Sequence, residues 1–255
     1  MRKLITKPSF RREENKFVVE GVCLFEELLK CPKKIKSVFY SFKLSKNKKA
    51  VELLNKAKTK KIQCWLISDD LMDDLSDTCT PQGVIAIADM FEYKIDDLLC
   101  IDKCILLLVD RIQDPGNLGT IIRAADAFKS TGIILSKGTV DLYNPKTIRA
   151  SMGSIFHIPI ITSANIISVI NTIKKYNITI LASSPKSDLA IDKVSLTSSI
   201  GLIIGNEAEG ISKEVVILSD KKIKIPIPGS AESLNAAASS AIMLYEVSRQ
   251  RGFRS

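Results

Sequence analysis

The sequence is poor in the residues that most catalytic and metal-binding sites require. Its 255 residues include one histidine, His157, and one tryptophan. A lone histidine leaves little basis for hydrolytic chemistry built on a histidine base, and His157, between Phe156 and a short apolar stretch, reads as structural or near a site and not as a ligand. No pair of cysteines forms a CxxC, and all six (Cys23, Cys31, Cys64, Cys79, Cys100 and Cys104) fall in the first 104 residues, far from the histidine. That spacing does not suit a zinc site, so no metal is expected, and the thiols read as reduced and mostly buried. No apolar run approaches the roughly 18 residues that cross a membrane; the central one, Cys104–Val109, has six. The opening MRKLITKPSF lacks the apolar core of a secretory signal. A cytoplasmic protein without a membrane partner is expected. Hydrophobic residues at 45% and charged residues at 25% match a folded globular chain and exclude disorder as the main state.

Charge is unevenly placed along the chain. Residues 1–61 carry 18 Lys and Arg against 6 Asp and Glu, residues 62–103 carry 2 against 10, and residues 104–255 carry 17 against 12, for a net charge of +9. One reading of the basic segment is a nucleic-acid footprint centred on Arg11, Arg12, Lys33, Lys34, Lys36 and the lysines of 43–49; the other is a solvated lysine-rich surface.

Periodicity divides the chain into two α/β units. In the first, strand patterns at Phe17–Val22, Ile35–Ser41, Ile62–Ile67 and Gly83–Ala88 alternate with helical patterns at Leu24–Lys30 and Lys46–Lys61. A small domain over 1–95 and a charged linker over 96–103 follow. The second unit, 104–255, opens on CILLLVD, an apolar run typical of a strand covered on both faces. Further strands are expected at Gly132–Leu135, Ile158–Ile161, Ile178–Ala182, Ile200–Ile204 and Ile223–Ile227. Helices are expected at Leu118–Lys129, Pro145–Ser151, Asn165–Tyr176, Ser212–Leu218 and Leu234–Arg249. The sum is a mostly parallel sheet with helices on both faces, in which ligands sit at the carboxyl ends of strands.

Three polar segments fall at such ends. The first is Asn117-Leu118-Gly119-Thr120-Ile121-Ile122-Arg123-Ala124-Ala125, where Asn117 is placed to cap a helix and Arg123 to reach back to the loop. The second, Gly205-Asn206-Glu207-Ala208-Glu209-Gly210, is a glycine-flanked loop with carboxylates. The third, Ile225-Pro226-Ile227-Pro228-Gly229-Ser230-Ala231-Glu232-Ser233-Leu234-Asn235, leads into a helix of small residues, Ala236-Ala237-Ala238-Ser239-Ser240-Ala241. Each alone is commonplace.

In this order the three segments resemble the signature motifs of the SpoU-type (TrmH-like) RNA ribose 2′-O-methyltransferases of the SPOUT class, over about residues 104–250. The stretch Arg149-Ala150-Ser151-Met152-Gly153-Ser154-Ile155-Phe156-His157 is similar to the family's intermediate segment. The first unit, from Lys16-Phe17-Val18-Val19-Glu20-Gly21, resembles the eL30-like substrate-binding domain of many members. The resemblance implies an α/β SPOUT domain with a deep trefoil knot, preceded by a smaller α/β domain; S-adenosylmethionine held in the knot loops; and a homodimer whose sites are completed across the interface. It implies catalytic roles for Arg123, Asn117, Glu207, Ser233 and Asn235. Cofactor contacts are implied at Gly205, Ile225 and Leu234, with Asn206 and Ser183 as further candidates. Candidate RNA contacts are Arg11, Arg12, Lys33, Lys34 and Arg149. Arg123 is either the general base or, because a guanidinium holds its proton beyond about pH 12, the group that fixes a phosphate and stabilises the developing oxyanion. The expected substrate is 23S ribosomal RNA. The alternatives are a transfer RNA, a ribosome-assembly factor that binds RNA without turnover, and a protein-only interaction module.

Overall fold

The computed structural model describes residues 1–253, apart from the side chains of Ser163 and Ala164. The chain forms two compact units. The first takes Met1–Phe91 together with Asp141–Phe156; the second takes Glu92–Val140 and the chain from His157 onward.

The first unit begins with two short helices, α1 (Arg2–Thr6) and α2 (Pro8–Glu14). Then follow β1 (Lys16–Glu20), α3 (Val22–Leu28), β2 (Ile35–Tyr40), α4 (Lys48–Thr59), β3 (Gln63–Leu66), α5 (Asp69–Leu75) and β4 (Val84–Asp89). The strand order is β1-β4-β2-β3. The β1/β4 and β4/β2 pairs are antiparallel and β2/β3 is parallel, which leaves β3 on an edge. One sheet face is closed by Leu4 of α1 and Met72 of α5 over Val18 and Ile85. The sequence reading names no element within 1–14, where the chain forms α1 and α2; Pro8 sits in the first turn of α2, where its missing N–H costs nothing.

The second unit contains α6 (Ile95–Leu99), β5 (Ile105–Val109), α7 (Pro115–Ala127) and β6 (Gly132–Ser136). After α8 (Pro145–Ala150), which belongs to the first unit, come β7 (Ile160–Ala164), α9 (Ile166–Lys174), β8 (Thr179–Ser183), β9 (Ile200–Ile204), α10 (Lys213–Leu218), β10 (Lys221–Ile223) and α11 (Ala236–Gln250). All pairs of the six-stranded sheet, ordered β10-β8-β9-β5-β6-β7, are parallel. Every residue of β5, β6 and β9 is buried. On one face Leu106, Leu108, Ile134, Ile180 and Ile203 pack with Ile166, Ile170 and Ile173 from α9, each buried side chain contributing about 1.5–3 kcal/mol.

Several boundaries differ from expectation. The last strand ends at Ile223; Lys224 makes only an isolated bridge to Ala190, and Pro226 and Pro228 have no N–H for a ladder. Of the cysteines only Cys104 is buried, with Cys23, Cys79 and Cys100 exposed, which corrects the expectation of mostly buried thiols. Among the described residues no helix is long and apolar enough to cross a membrane, and no histidine, cysteine and carboxylate cluster is arranged to hold a metal.

Candidate active site

The chain leaves β5 through Asp110, Arg111, Ile112 and Gln113 and enters α7 at Pro115. The cap of α7 is Asp114, whose carboxylate accepts the Asn117 N–H at 2.8 Å. This corrects the expected capping role of Asn117: it lies within the first turn, and its side chain is free to face the neighbouring loops. Pro115 at the first helical position is the local reason the cap falls one residue before it.

After β9 the loop doubles back on itself, with Asn206 and Gly210 exchanging backbone hydrogen bonds at 3.0 and 2.9 Å. A Cβ on Gly205 would lie 2.2 Å from the Ile211 nitrogen, so only glycine fits beneath this turn. The Asn206 side chain is spent on the same loop. Its Oδ1 accepts from the N–H groups of Ala208 and Glu209, and its Nδ2 donates to the Arg111 carbonyl at 2.8 Å. Asn206 is thus a brace for the loop.

Glu207 projects from this turn to the start of α7. Its Oε1 accepts from Asn117 Nδ2 at 2.9 Å and from the Asp114 N–H at 3.3 Å, and Oε2 accepts from the Gln113 N–H at 3.2 Å. Burial pushes this carboxyl up, but the Asn117 amide and the backbone donors outweigh it and hold the group below its ordinary value. Asn235 completes the arrangement. Its Nδ2 donates to Asn117 Oδ1 at 2.9 Å, while its own Oδ1 caps α11 by accepting from the Ala237 and Ala238 N–H groups. One hydrogen-bond chain therefore runs Asn235–Asn117–Glu207 across all three motifs. Each amide nitrogen in it keeps a second N–H for an oxygen of a ligand.

The remaining predicted residues are placed differently. Arg123 is exposed on α7 and makes none of the side-chain hydrogen bonds or ion pairs found among the described residues. Six residues are 1.67 turns, which carries it to another side of the helix from Asn117. Ser233 is exposed and makes none of the side-chain hydrogen bonds found among the described residues. Ile225 and Leu234 are half-buried, and Ser183 lies at the end of β8 opposite Ile223. The segment 225–234 makes none of the backbone hydrogen bonds found among the described residues outside helices and strands. Its amides and carbonyls, at the carboxyl end of the sheet, suit a ligand read through backbone groups, as the adenine and amino-acid parts of S-adenosylmethionine would be.

The basic candidates in the first unit divide sharply. Arg12 and Lys33 are exposed. Lys34 donates to the Met90 carbonyl at 3.0 Å, and Arg149 is paired with Asp77 at 2.8 Å. Arg11 is 1% exposed; its guanidinium donates to the Leu4 and Ile5 carbonyls and is ion-paired with Asp141. It is an internal anchor and not a surface contact, a correction that a partner 130 residues away kept out of the sequence reading.

Sequence reasoning missed the residues that hold the loops. Asp110 is buried at the end of β5 and accepts from the Ser212 N–H at 2.9 Å. Arg111, at a φ of 59°, reaches Glu209 at 2.6 Å. Gln113 donates to the carbonyls of Arg111 and Gly138. Their signal was position alone, directly after an apolar strand. His157 Nδ1 lies 2.9 Å from Asp126 Oδ2.

Comparison with known proteins matches this geometry to a family. The SpoU rRNA methylase family model matches residues 104–245, and the model for RNA 2′-O ribose methyltransferase substrate binding matches residues 18–94. The 23S rRNA (guanosine(2553)-2′-O)-methyltransferase RlmP of Bacillus subtilis is 34% identical over 96% of this chain and 93% of its own length. The 23S rRNA (uridine(2479)-2′-O)-methyltransferase of Streptomyces viridochromogenes is 30% identical over 94% of this chain and 85% of its own. The crystal structure of the SpoU methyltransferase AviRb from that organism, in complex with the cofactor AdoMet, superposes with a TM-score of 0.87 at 29% identity, covering 98% of this chain and 96% of that one. With the motif loops joined as described and both units matched, the chain belongs to the SpoU rRNA methylase family.

Proposed function

We propose that this protein transfers the methyl group of S-adenosylmethionine to a ribose 2′-OH of 23S ribosomal RNA. The observation that carries the reading is the Asn235–Asn117–Glu207 chain, which fixes three motif loops at the carboxyl end of the parallel sheet. Two relatives matched over nearly the whole chain are named for ribose methylation of 23S rRNA, and a structure of the same fold holds AdoMet. Those two names specify different nucleotides, a guanosine and a uridine, so this architecture does not dictate one base.

When bound, the cofactor supplies a strongly electrophilic methyl group. The protein has to bind it, orient the ribose and manage the proton of the 2′-OH; orientation alone can supply about 7–11 kcal/mol. Glu207 fixes the Asn117 amide, and Asn117 and Asn235 direct their remaining N–H groups to ribose or phosphate oxygens. Ser233 contributes a hydroxyl beside them. Gly205, Ile225 and Leu234 bound the cofactor seat through backbone groups, with Ser183 at its edge. Arg123 fixes the target phosphate and stabilises charge on the attacking oxygen; guanidinium groups keep their proton beyond about pH 12, which makes this role easier than that of a base.

Arg123 stands on another side of α7 from Asn117 by helical spacing, and the outer side of α11 exposes Ile242 and Tyr245 at 40% and 49%, near Phe253 at 52%. A second copy packed on this stripe, with Arg123 serving the partner's site, accounts for both. The reading includes the family's trefoil knot, with 205–211 and 225–235 as its loops. It also includes a division of labour between an RNA-binding domain over 1–95 and a catalytic one over 104–255. Ribosomal RNA as substrate places the protein in the cytoplasm.

The test is transfer of labelled methyl from S-adenosylmethionine to unmodified 23S rRNA and, separately, to tRNA, with Arg123→Ala as control. Label in rRNA that makes one linkage resistant to alkali, absent with the variant, is expected. Label in tRNA alone overturns the substrate, and cofactor binding without transfer to either RNA or to ribosomal particles overturns the enzyme. Sedimentation of the protein as a monomer overturns the dimer.

A further inference from the structure

The carboxyl ends of β2 and β3 in the first unit gather apolar side chains that the fold leaves uncovered. Phe42, just after β2, is 66% exposed; Trp65 and Leu66 on β3 are 53% and 50% exposed. Trp65 pairs in register with Phe39 of β2, on the edge strand of the sheet. Farther in, the same face is closed by Met72 over Ile85, so Trp65 is its uncovered end. Neither Phe42 nor Trp65 takes part in the ring contacts found among the described residues. Directly after Phe42 in the chain, Lys43 and Lys46 line an open hollow of about 570 Å³ together with Thr78 and Thr80, with Asp73 on its wall.

The charges around this end favour one occupant. Just after Phe42 the chain carries Lys43, Lys46, Lys48 and Lys49. The acids closest to the hollow are already engaged. Asp69 accepts from the Lys43 N–H at 3.2 Å, and Asp73 is paired with the Lys43 ammonium. Lys46 and Lys48 form none of the ion pairs found among the described residues. Asp70 and Asp74 on α5 stay exposed, which disfavours a duplex lying flat across this end. An unpaired base entering ring-first would keep its phosphates on the lysine side.

We propose that Trp65, with Phe42, is a stacking platform for unpaired nucleotides of the RNA substrate, and that Lys46 holds the adjoining phosphate. The proposal rests on RNA being the substrate. Base–aromatic stacking contributes independently of base identity, because every base has a π-face. The platform would therefore recognise an unstacked loop or bulge and not a sequence.

Trp65 is the sole tryptophan, so its emission reports this one position in the intact protein. Titration with a twelve-residue oligouridine is expected to quench it, and a twelve-base-pair RNA duplex is not. Trp65→Ala is expected to bind unmodified 23S rRNA transcript between about fivefold and a hundredfold more weakly. The slope of log affinity against log salt should stay unchanged because no charge is removed. Trp65→Phe restores most of the affinity, and both variants bind S-adenosylmethionine as the wild type does. Lys46→Ala instead lowers the salt slope by about one. Tight binding of the transcript by wild type, with unquenched emission and an unaffected Trp65→Ala protein, overturns the platform alone. Failure of wild type to bind the transcript overturns the RNA reading as well. A shift from dimer to monomer in Trp65→Ala assigns the patch to a second copy and overturns the proposal.

Discussion

Asn235 and Asn117, 118 residues apart, share a hydrogen bond of 2.9 Å in which the Asn235 amide donates to the Asn117 carbonyl oxygen. The same Asn235 side chain caps α11 through its own oxygen. One residue thus ends the third motif loop, starts the last helix and sets the orientation of a first-motif amide.

These roles separate in Asn235→Asp. Aspartate caps helices about as well as asparagine, so the thermal midpoint should change little. It has no N–H to offer Asn117, and two oxygens then face each other. Methyl transfer is expected to fall by about 0.5–1.5 kcal/mol, the net contribution of one hydrogen bond, which is roughly two- to twelvefold in rate. Asn235→Ala loses both roles and should show lowered stability as well. Parallel melting and single-turnover measurements would distinguish the two variants; wild-type turnover in Asn235→Asp would remove the bond from the mechanism.

Glu207 gives the site a pH signature. Its carboxyl is held below its ordinary value by the Asn117 amide and the Gln113 and Asp114 N–H groups. A depressed carboxylate stabilises the fold above its unfolded value, near 4.3, and that contribution is lost as pH falls through the folded value. The difference in melting temperature between wild type and Glu207→Gln should be constant from pH 6 to 8. It should close as pH drops below about 4. A difference that is flat across the whole range would show that Glu207 is not held in this way.

Arg11 and Arg12 are neighbours in sequence with opposite fates. Arg11→Ala removes one partner of a buried pair with Asp141 and should cost about 3–5 kcal/mol of stability. Arg12→Ala, at an exposed position, should stay within about 0.5 kcal/mol of wild type in stability while weakening RNA binding and flattening its salt dependence. Chemical denaturation and RNA titration of the two single variants check this, whereas a double variant would confound them.

This pair also shows where sequence reading stops. The strands of the parallel sheet were legible because β5, β6 and β9 are buried on both faces and so read as unbroken apolar runs. The first two polar loops were legible because they follow such runs, β5 and β9; the third follows the short edge strand β10 and was marked by its prolines and Gly229. The partners within the loops were not. Asp114 and Asn117 are both good caps, and only Pro115 discriminates between them. Nothing local to Arg11 announces Asp141, and nothing local to Arg123 shows that its helix turns it away from Asn117. Contacts made by chain return, across 90 to 130 residues here, leave no periodic trace.

Gly205→Ala tests whether the turn after β9 is part of the cofactor seat. The added methyl would lie 2.2 Å from the Ile211 nitrogen and 2.3 Å from the Gly210 carbonyl carbon. Backbone cannot yield as a side-chain tip can, so the turn must shift, at a cost of about 1–3 kcal/mol. The shift would move Glu207 off Asn117 and loosen the wall next to 225–234. Calorimetry should then show S-adenosylmethionine binding weakened by about tenfold or more, since each 1.4 kcal/mol of lost fit is tenfold. If the first unit carries RNA binding as proposed, RNA affinity should remain near wild type. A variant that is less stable yet binds the cofactor normally would confine Gly205 to a folding role and move the seat elsewhere along the sheet edge.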